Sequence, residues 1–194
     1  MAKLDDLLVS IGVYLGVASV VKGAESVYRV RRSGSVFALP YEANQVWLYT
    51  VAPKSIPLIR EIGATQNLHS INGAIAWLYE RHLLHRWPSG ENERIEFVAD
   101  HVLVPVAYSL GSIDNDPNRY QLAGGMTARM IDVSRATYEV WAASDGCALG
   151  EACEQASEQM GVELDAIAEI FLKELPDLLG NGMAFLDLKG GVGD

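Results

Sequence analysis

The stretch LVSIGVYLG at residues 8–16 returns as LVPVAYSLG at residues 103–111, so one pattern occurs twice in a chain of 194 residues. A second pair supports the first, because YEANQVW ends at Trp47 and RATYEVW ends at Trp141. Two further landmarks follow in the same order in both halves: Ala-Ile-Ala at residues 74–76 and 166–168, and Leu-Leu at residues 83–84 and 178–179. Four landmarks in one order predict a duplicated unit of about 95 residues.

Within each half, residues typical of strands come first. Runs of β-branched and aromatic residues predict strands at residues 26–30 and 36–39, and again at 102–110, 120–123 and 129–133. Turn-forming residues separate these runs at 33–34, 114–118 and 124–125. The first part of each unit should therefore be a small antiparallel sheet.

The second part of each half has the pattern of three helices. Pro40 suits a first helical turn, Ser55 can cap a short helix that stops at Gly63, and Asn67 can cap a third helix that starts at Leu68. Apolar residues of the last helix recur at helical spacing in both halves, at Leu68, Ile71, Ile75 and Leu78, and at Leu164, Ile167, Phe171 and Leu175. Pro176 should end or kink the second of these helices.

These patterns predict an α+β protein of tandem winged helix-turn-helix units from an internal duplication, each a small antiparallel sheet plus three helices. The first unit should span residues 1–90 and the second residues 95–188, with a flexible tail at 189–194. A polar stretch at residues 88–94 separates them. Because Trp47 and Trp141 hold the same place in both copies, we expect both in the core.

Composition excludes several classes of protein. Apolar residues make up 49% and charged residues 21% of the chain, which is typical of a globular protein and not of a disordered one. The net charge of −10 argues against wholesale binding to nucleic acid or to an anionic membrane. The apolar run at residues 7–21 is too short to span a bilayer as a helix. Because a copy of this run lies in the middle of the chain, the run is expected to be a structural element of the repeated unit. With Cys147 and Cys153 as its only cysteines, the protein is expected to be cytoplasmic.

The second half also carries a family resemblance. DVSRATYEVW at residues 132–141 and the Asp145-Gly146 turn are followed by Leu149-Gly150-Glu151-Ala152, and residues 120–188 as a whole are similar to the PqqD-like family. The first half keeps Val46-Trp47 but has residues 52–55 in place of the Asp-Gly turn.

The resemblance implies a winged-helix module without chemistry of its own, which binds a peptide segment as an added strand between its third strand and third helix. In the second unit these groove residues are Arg129, Ile131, Val133, Ala166, Ile170 and Lys173. The expected function is therefore non-enzymatic recognition of a polypeptide, with no catalytic residue, cofactor or metal. Lys173 would help to attract an acidic ligand, but the net charge of −11 in residues 98–194 would repel one and favours a basic segment.

DNA binding by the first unit is the alternative, as in a transcriptional regulator. Residues 1–97 carry ten Lys and Arg against nine Asp and Glu, whereas residues 98–194 carry five against sixteen, so only the first half can approach phosphate. In this hypothesis residues 66–86 form the recognition helix with Asn67, His69 and Ser70 as readers, and the wing carries Arg29, Arg31 and Arg32.

Other patterns indicate little chemistry. His82 and His85 have a weak metal-ligand spacing, and two solvated histidines are the simpler interpretation. The Asp114-x-Asp116-x-Asn118 string begins like a calcium loop but lacks the later ligands, so a turn is expected. A third hypothesis is an adaptor that uses its acidic half against a basic partner, with Trp77 and Trp87 as anchors, although a core position is favoured for both tryptophans. A homodimer would suit the regulator alternative, in which the acidic half assembles or senses.

Overall fold

A computed structural model describes residues 6–18, 26–124 and 128–190 and has a mixed α+β fold with small antiparallel sheets. The chain divides into two compact units. The first contains the described residues up to Pro88, together with Gly190, and the second runs from Ser89 to Lys189. Among the described residues, none of the helices has the length and apolar character that crossing a membrane requires.

The first unit contains six strands and three helices in the described residues. Its elements are β1 (Leu7–Ser10), β2 (Val13–Ala18), β3 (Val27–Arg32), β4 (Ser35–Leu39), α1 (Tyr41–Tyr49), β5 (Lys54–Ser55), α2 (Ile56–Thr65), α3 (Ile71–Glu80) and β6 (Leu84–Arg86). One sheet has the order β2-β3-β4, and a second has the order β5-β1-β6. All pairs are antiparallel.

The second unit has one helix in front of a similar series. Its elements are α4 (Glu91–Asp100), β7 (His101–Pro105), β8 (Ala107–Ser112), a 3-10 turn (Ile113–Asn115), β9 (Arg119–Gly124), β10 (Met130–Ser134), α5 (Arg135–Ala143), α6 (Leu149–Met160), α7 (Leu164–Gly180) and β11 (Ala184–Leu188). The order β10-β9-β8 forms one sheet, and β11 pairs with β7.

Both units contain the same irregularity in their three-stranded sheet. The register of β2 against β3 shifts between Tyr14 and Gly16, and that of β8 against β9 shifts between Ser109 and Gly111. Both glycines have positive φ, a conformation that costs glycine little and other residues more. The glycine that closes each copy of the nine-residue pattern therefore marks a β-bulge.

The repeated tryptophans occupy similar places in the two cores, as expected. Trp47 and Trp141 are each the seventh residue of a nine-residue helix and are 1% and 8% exposed. The next polar residue after each helix, Thr50 or Ser144, donates its hydroxyl to a carbonyl four residues earlier. Both hydroxyl-bearing residues are buried, so each helix ends inside its unit rather than in solvent.

Strand predictions are confirmed for β3, β4, β9 and β10 within two residues at each end. The turn at residues 33–34 is also confirmed, and both of its residues have positive φ. A single strand at residues 102–110 is wrong, because the chain bends at Val106, whose N–H donates to the carbonyl of Met183. The paired leucines are not equivalent, since Leu83 precedes β6 whereas Leu178 lies inside α7.

Helix boundaries in the first unit differ from the sequence prediction at the α2–α3 turn. The cap at Ser55 is confirmed, because its side chain accepts a hydrogen bond from the N–H of Leu58. Gly63 does not stop α2, which runs to Thr65. Asn67 does not cap α3 but takes a left-handed conformation behind α2, where its N–H and that of Leu68 donate to the last turn of that helix.

Proline positions also needed correction. Pro40 precedes the first turn of α1, as its N-cap, instead of lying within it. Of the two outcomes expected for Pro176, a helix end is wrong, because α7 continues to Gly180, and a kink stays a prediction. The last helices are therefore unequal: α3 has 10 residues and α7 has 17. The seven extra residues of α7 explain why the second leucine pair falls inside a helix.

The polar stretch expected between the units contains the start of α4. The side chain of Glu93 accepts hydrogen bonds from the N–H groups of Ser89 and Gly90, which fixes the first turn of this helix. Lys189, expected in a flexible tail, is bound in the second unit by its ion pair with Glu151 at 2.7 Å. Residues 191–194 of that tail and Gly125 of the expected 124–125 turn lie outside the described residues.

His101 makes the second unit sensitive to acid. Burial against the ring of Phe97 lowers the pKa of His101 from its usual 6.5, so the folded state resists its protonation. The unfolded state therefore takes up this proton first as the pH falls. This contribution to stability is complete above about pH 6.5 and is lost as the pH falls toward the folded pKa.

We expect the free energy of unfolding to decrease when the pH is lowered from about 7.5 to about 5.5. The decrease should be smaller in His101→Gln than in the wild type. Urea denaturation at both pH values measures this difference. His82→Gln is the control, because His82 is exposed. Equal pH dependence in the wild type and His101→Gln would contradict the assignment.

Candidate peptide-binding edge

Strand β10 forms one edge of the three-stranded sheet in the second unit. Within the described residues, its strand partner in this sheet is β9 on one side. Backbone bonds flank the strand at both ends: Gly124 donates to the carbonyl of Arg129, and Arg135 donates to the carbonyl of Asn118. Because bonding alternates along an antiparallel strand, every second residue between them faces β9.

The alternation leaves an open stretch of backbone. Ile131 and Val133 direct their N–H and C=O groups toward β9, and Met130 and Asp132 direct theirs away from the sheet. The N–H of Ser134 points to the same open side, since the carboxylate of Glu174 accepts its hydrogen bond at 3.1 Å. This contact independently supports the assignment of the open side.

The second half of α7 lies along this open side. The hydroxyl of Ser134 also donates to Glu174, at 3.0 Å, and the guanidinium of Arg129 donates to the side-chain oxygen of Asn181 at 3.4 Å. These bridges mark the two ends of a stretch from Met130 to Val133. Four extended residues span about 13 Å, which is the length available for an added strand.

The residues expected in the groove are only partly brought together. Ile131 is half-buried and Val133 is buried, and both lie on β10 between the two bridging residues Arg129 and Ser134. Ala166 and Ile170 precede Glu174 by eight and four residues, so they lie one to two helical turns beyond the end of the open stretch. Lys173 is exposed beside Glu174.

The outer face of this sheet carries an apolar strip. Met130 and Tyr108 flank Ala123 on neighbouring strands and are 63% and 69% exposed. Asp132 lies on the same face, where its carboxylate accepts hydrogen bonds from Arg119 at 3.0 Å and Gln121 at 3.2 Å. The side chain of Asp132 is therefore held, while its backbone groups remain available.

The first unit has a comparable edge strand, β4, but a different residue precedes the helix that follows it. Because β3 and β4 are joined by the two-residue turn at 33–34, the backbone groups of Val36 and Ala38 face away from β3. Pro40 stands where the second unit has Ser134, and proline has no N–H to donate. The second unit thus offers the more complete edge for hydrogen bonding.

The basic residues expected on a DNA-binding wing do not form one surface. Arg29 and Arg31 are exposed on β3. Arg32 instead donates to the carbonyl of Arg81 and lies over the ring of Phe37, 5.1 Å from its centroid. Two of the three arginines are therefore free to meet a phosphate.

The expected recognition helix is shorter than residues 66–86, because α3 covers Ile71–Glu80 alone. His69 and Ser70 precede the helix, and their N–H groups donate to the carboxylate of Glu42 at 2.8 and 3.2 Å. Asn67 belongs to the turn behind α2. An anionic side chain thus occupies the place near the helix start where a phosphate would bind.

Metal ligation gains no support in the described part of the chain. It contains no group of three or more His, Cys, Asp or Glu residues placed to hold a metal ion. The rings of His82 and His85 are 6.1 Å apart, edge to face. The expected turn at Asp114–Asn118 is confirmed, with the side chain of Asp116 accepting from the N–H of Asn118.

Comparison with protein families, curated proteins and solved structures finds no match for this chain. The PqqD-like resemblance therefore stays a hypothesis carried by residues 120–188. The edge geometry of β10 is an observation that does not depend on it.

Sequence reasoning missed the groups that define the open stretch. Met130 and Asp132 belong to the strand that was expected to accept the peptide, but they were not named individually, because the groove residues were chosen by their side chains. Glu174 and Asn181 were not expected at all. One signal was present: Glu174 lies in α7 and Asn181 follows its last residue, seven residues or about two helical turns later, which predicts that both lie on the same side.

Proposed function

We propose that this protein recognises a polypeptide without performing chemistry on it, by adding an extended segment of its partner to β10. The observation that supports this most is the open backbone of Met130 and Asp132, directed away from β9 and bounded by the two bridges to α7. Strand addition supplies affinity through main-chain hydrogen bonds, and neighbouring side chains supply specificity.

Charge indicates the chemistry of the partner. Residues 89–189 contain eighteen Asp and Glu against six Lys and Arg, so this unit attracts cations. Glu174 places a carboxylate at one end of the open stretch. The partner segment is therefore expected to be basic, with a Lys or Arg that reaches Glu174.

We further infer that the two units are winged-helix modules from one duplicated ancestor. The common order of strands and helices, the bulges at Gly16 and Gly111, and the tryptophans at positions 47 and 141 support this inference. The added strand would occupy the same place in the second unit as in the PqqD-like family.

The peptide hypothesis predicts a specific loss in a backbone variant. Peptides of about ten residues selected against the full chain should bind wild type, and Asp132→Pro should weaken them at least about tenfold, because proline removes the outward N–H and leaves the bonds to β9 intact. Asp132→Asn keeps this N–H and should retain most of the binding. Calorimetric titration measures both affinities.

Ala38→Pro is a matched control that changes the corresponding edge of the first unit. It should bind the selected peptides like wild type. Equal binding by Asp132→Pro and wild type, or failure of the full chain to select any peptide, would contradict the proposal.

DNA binding by the first unit remains a second candidate, favoured by one observation. Arg29 and Arg31 are exposed on one strand of a unit whose first 88 residues carry nine Lys and Arg against six Asp and Glu. The carboxylate of Glu42 at the start of α3 counts against it.

This candidate makes a salt-dependent prediction. If it holds, duplex DNA binds at about 50 mM salt, dissociates by about 200 mM, and binds less tightly to Arg29→Ala/Arg31→Ala. We expect no such binding by fluorescence anisotropy. Tight, salt-sensitive binding by the intact chain would favour the regulator over peptide recognition.

A further inference from the structure

A cavity of about 560 Å³ lies within the second unit, between α4, α6 and α7. This volume falls in the range of about 300–1,000 Å³ typical of small-molecule sites. Its wall is mainly apolar and includes Ile95, Val98, Cys153, Leu164, Ala168 and Leu172. It lies outside the strand edge proposed for the polypeptide.

The floor of the cavity carries no charge. Cys153 is fully buried there, and burial raises the pKa of its thiol to about 12, which keeps the sulfur neutral at physiological pH. Gly150 also lines the cavity, and a Cβ at this position would approach the Val98 carbonyl only to 3.6 Å. A larger side chain at position 150 could therefore be accommodated and would fill part of the space.

The mouth of the cavity is acidic. Four carboxylates, Glu91, Glu154, Asp165 and Glu169, line it together with one guanidinium, Arg94. All four are exposed, and none forms an ion pair with another described residue. The site thus combines an uncharged apolar wall with a net excess of three negative charges.

Helix α4 forms one wall of this cavity. Ile95 on α4 is 59% exposed and Leu164 on α7 is 38% exposed, and both line the cavity. Apolar surface of this kind gains about 25 cal/mol for each Å² that a ligand covers. An apolar ligand is therefore favoured by the wall.

We propose that this cavity binds a small hydrophobic amine, whose apolar body contacts α4, α6 and α7 and whose protonated nitrogen donates hydrogen bonds to the carboxylates at the mouth. The charge of the mouth selects a cation over an anion, and a protonated amine forms charge-assisted hydrogen bonds that an alcohol lacks. The volume of about 560 Å³ between the three helices suits a compact molecule better than a peptide helix. The site acts independently of strand addition at β10.

Three probes with one apolar body test the proposal: 4-phenylbutylamine, 4-phenylbutanol and 4-phenylbutyrate. In amide spectra of the full chain, the amine should give saturable shifts confined to α4, α6 and α7. The alcohol should bind about tenfold more weakly or worse, and the carboxylate should bind least. Equal affinity for all three, or amine shifts spread over the acidic surface, would overturn the proposal.

Variants separate the site from general electrostatics. Glu154→Gln/Glu169→Gln should reduce the affinity for the amine to that for the alcohol, whereas Glu96→Gln/Glu158→Gln removes two charges from outside the cavity and should leave it unchanged. Gly150→Leu should weaken binding of both amine and alcohol. An unchanged affinity for the amine in Glu154→Gln/Glu169→Gln would overturn the proposal. Amide shifts in α4, α6 and α7 that depend on protein concentration without any probe would also overturn it, because they would indicate a second copy of the chain as the occupant.

Discussion

Trp47→Ala is expected to lower the free energy of unfolding by about 3–5 kcal/mol, which is a large part of the stability of a small domain. The side chain is 1% exposed, stacks on Tyr14 with ring centroids 5.9 Å apart, and donates its indole N–H to the carbonyl of Ile11. Truncation removes all three interactions and leaves a cavity in the first unit. Chemical denaturation followed by circular dichroism measures the change.

The two tryptophans should respond differently to a smaller change. Trp141 is 8% exposed, and its indole nitrogen has no hydrogen-bond partner among the described residues. Trp47→Phe loses a hydrogen bond and should cost about 1 kcal/mol more than Trp141→Phe. If Trp47→Ala and Trp141→Ala both keep the wild-type denaturation midpoint, the shared tryptophan is not a core residue, and the proposed duplication of the two units loses its main support.

Gly12→Ala is expected to be the second severe change. Gly12 has a φ of +106°, and a Cβ there would lie 2.6 Å from a side-chain carbon of Val30 and 2.7 Å from the carbonyl oxygen of Arg31. The backbone oxygen cannot move without displacing β3. Strain at positive φ costs about 1–3 kcal/mol, and the clash should add about 1–3 kcal/mol more.

Gly16→Ala is the matched control for this prediction. Gly16 has a φ of +88°, and a Cβ there would meet no atom within 4 Å. It should therefore show the cost of the backbone conformation alone. The difference between the two denaturation midpoints in urea isolates the clash, and equal midpoints would mean that Gly12 does not lie against β3 as described.

Sequence patterns were most informative where one residue type has one structural role. The repeated motif located the core tryptophans, and Ser33-Gly34 located a hairpin turn. The predicted helix boundaries were wrong where tertiary contacts determine them. Asn67 is a residue type that often caps helices, but here it lies in the turn that follows α2.

In the candidate site, too, the sequence pattern does not determine what tertiary contacts decide. The open stretch of β10 depends on which backbone groups face β9, and alternation alone gives two registers that swap the inner and outer residues. Hydrogen bonds at both ends of the strand decide between them. Helix α4 was missed because Glu91–Asp100 is polar at most positions, and its apolar contacts come from a few residues such as Phe97.

Amide hydrogen exchange in the complex with a selected basic peptide tests the central claim most directly. Met130 and Asp132 have N–H groups that face away from β9, so in the free protein they should exchange faster than those of Ile131 and Val133. Strand addition predicts that the peptide slows Met130 and Asp132 and leaves the amides of β4 unchanged. Slowing confined to α3 or to the first unit, with Met130 and Asp132 exchanging as before, would contradict recognition at β10.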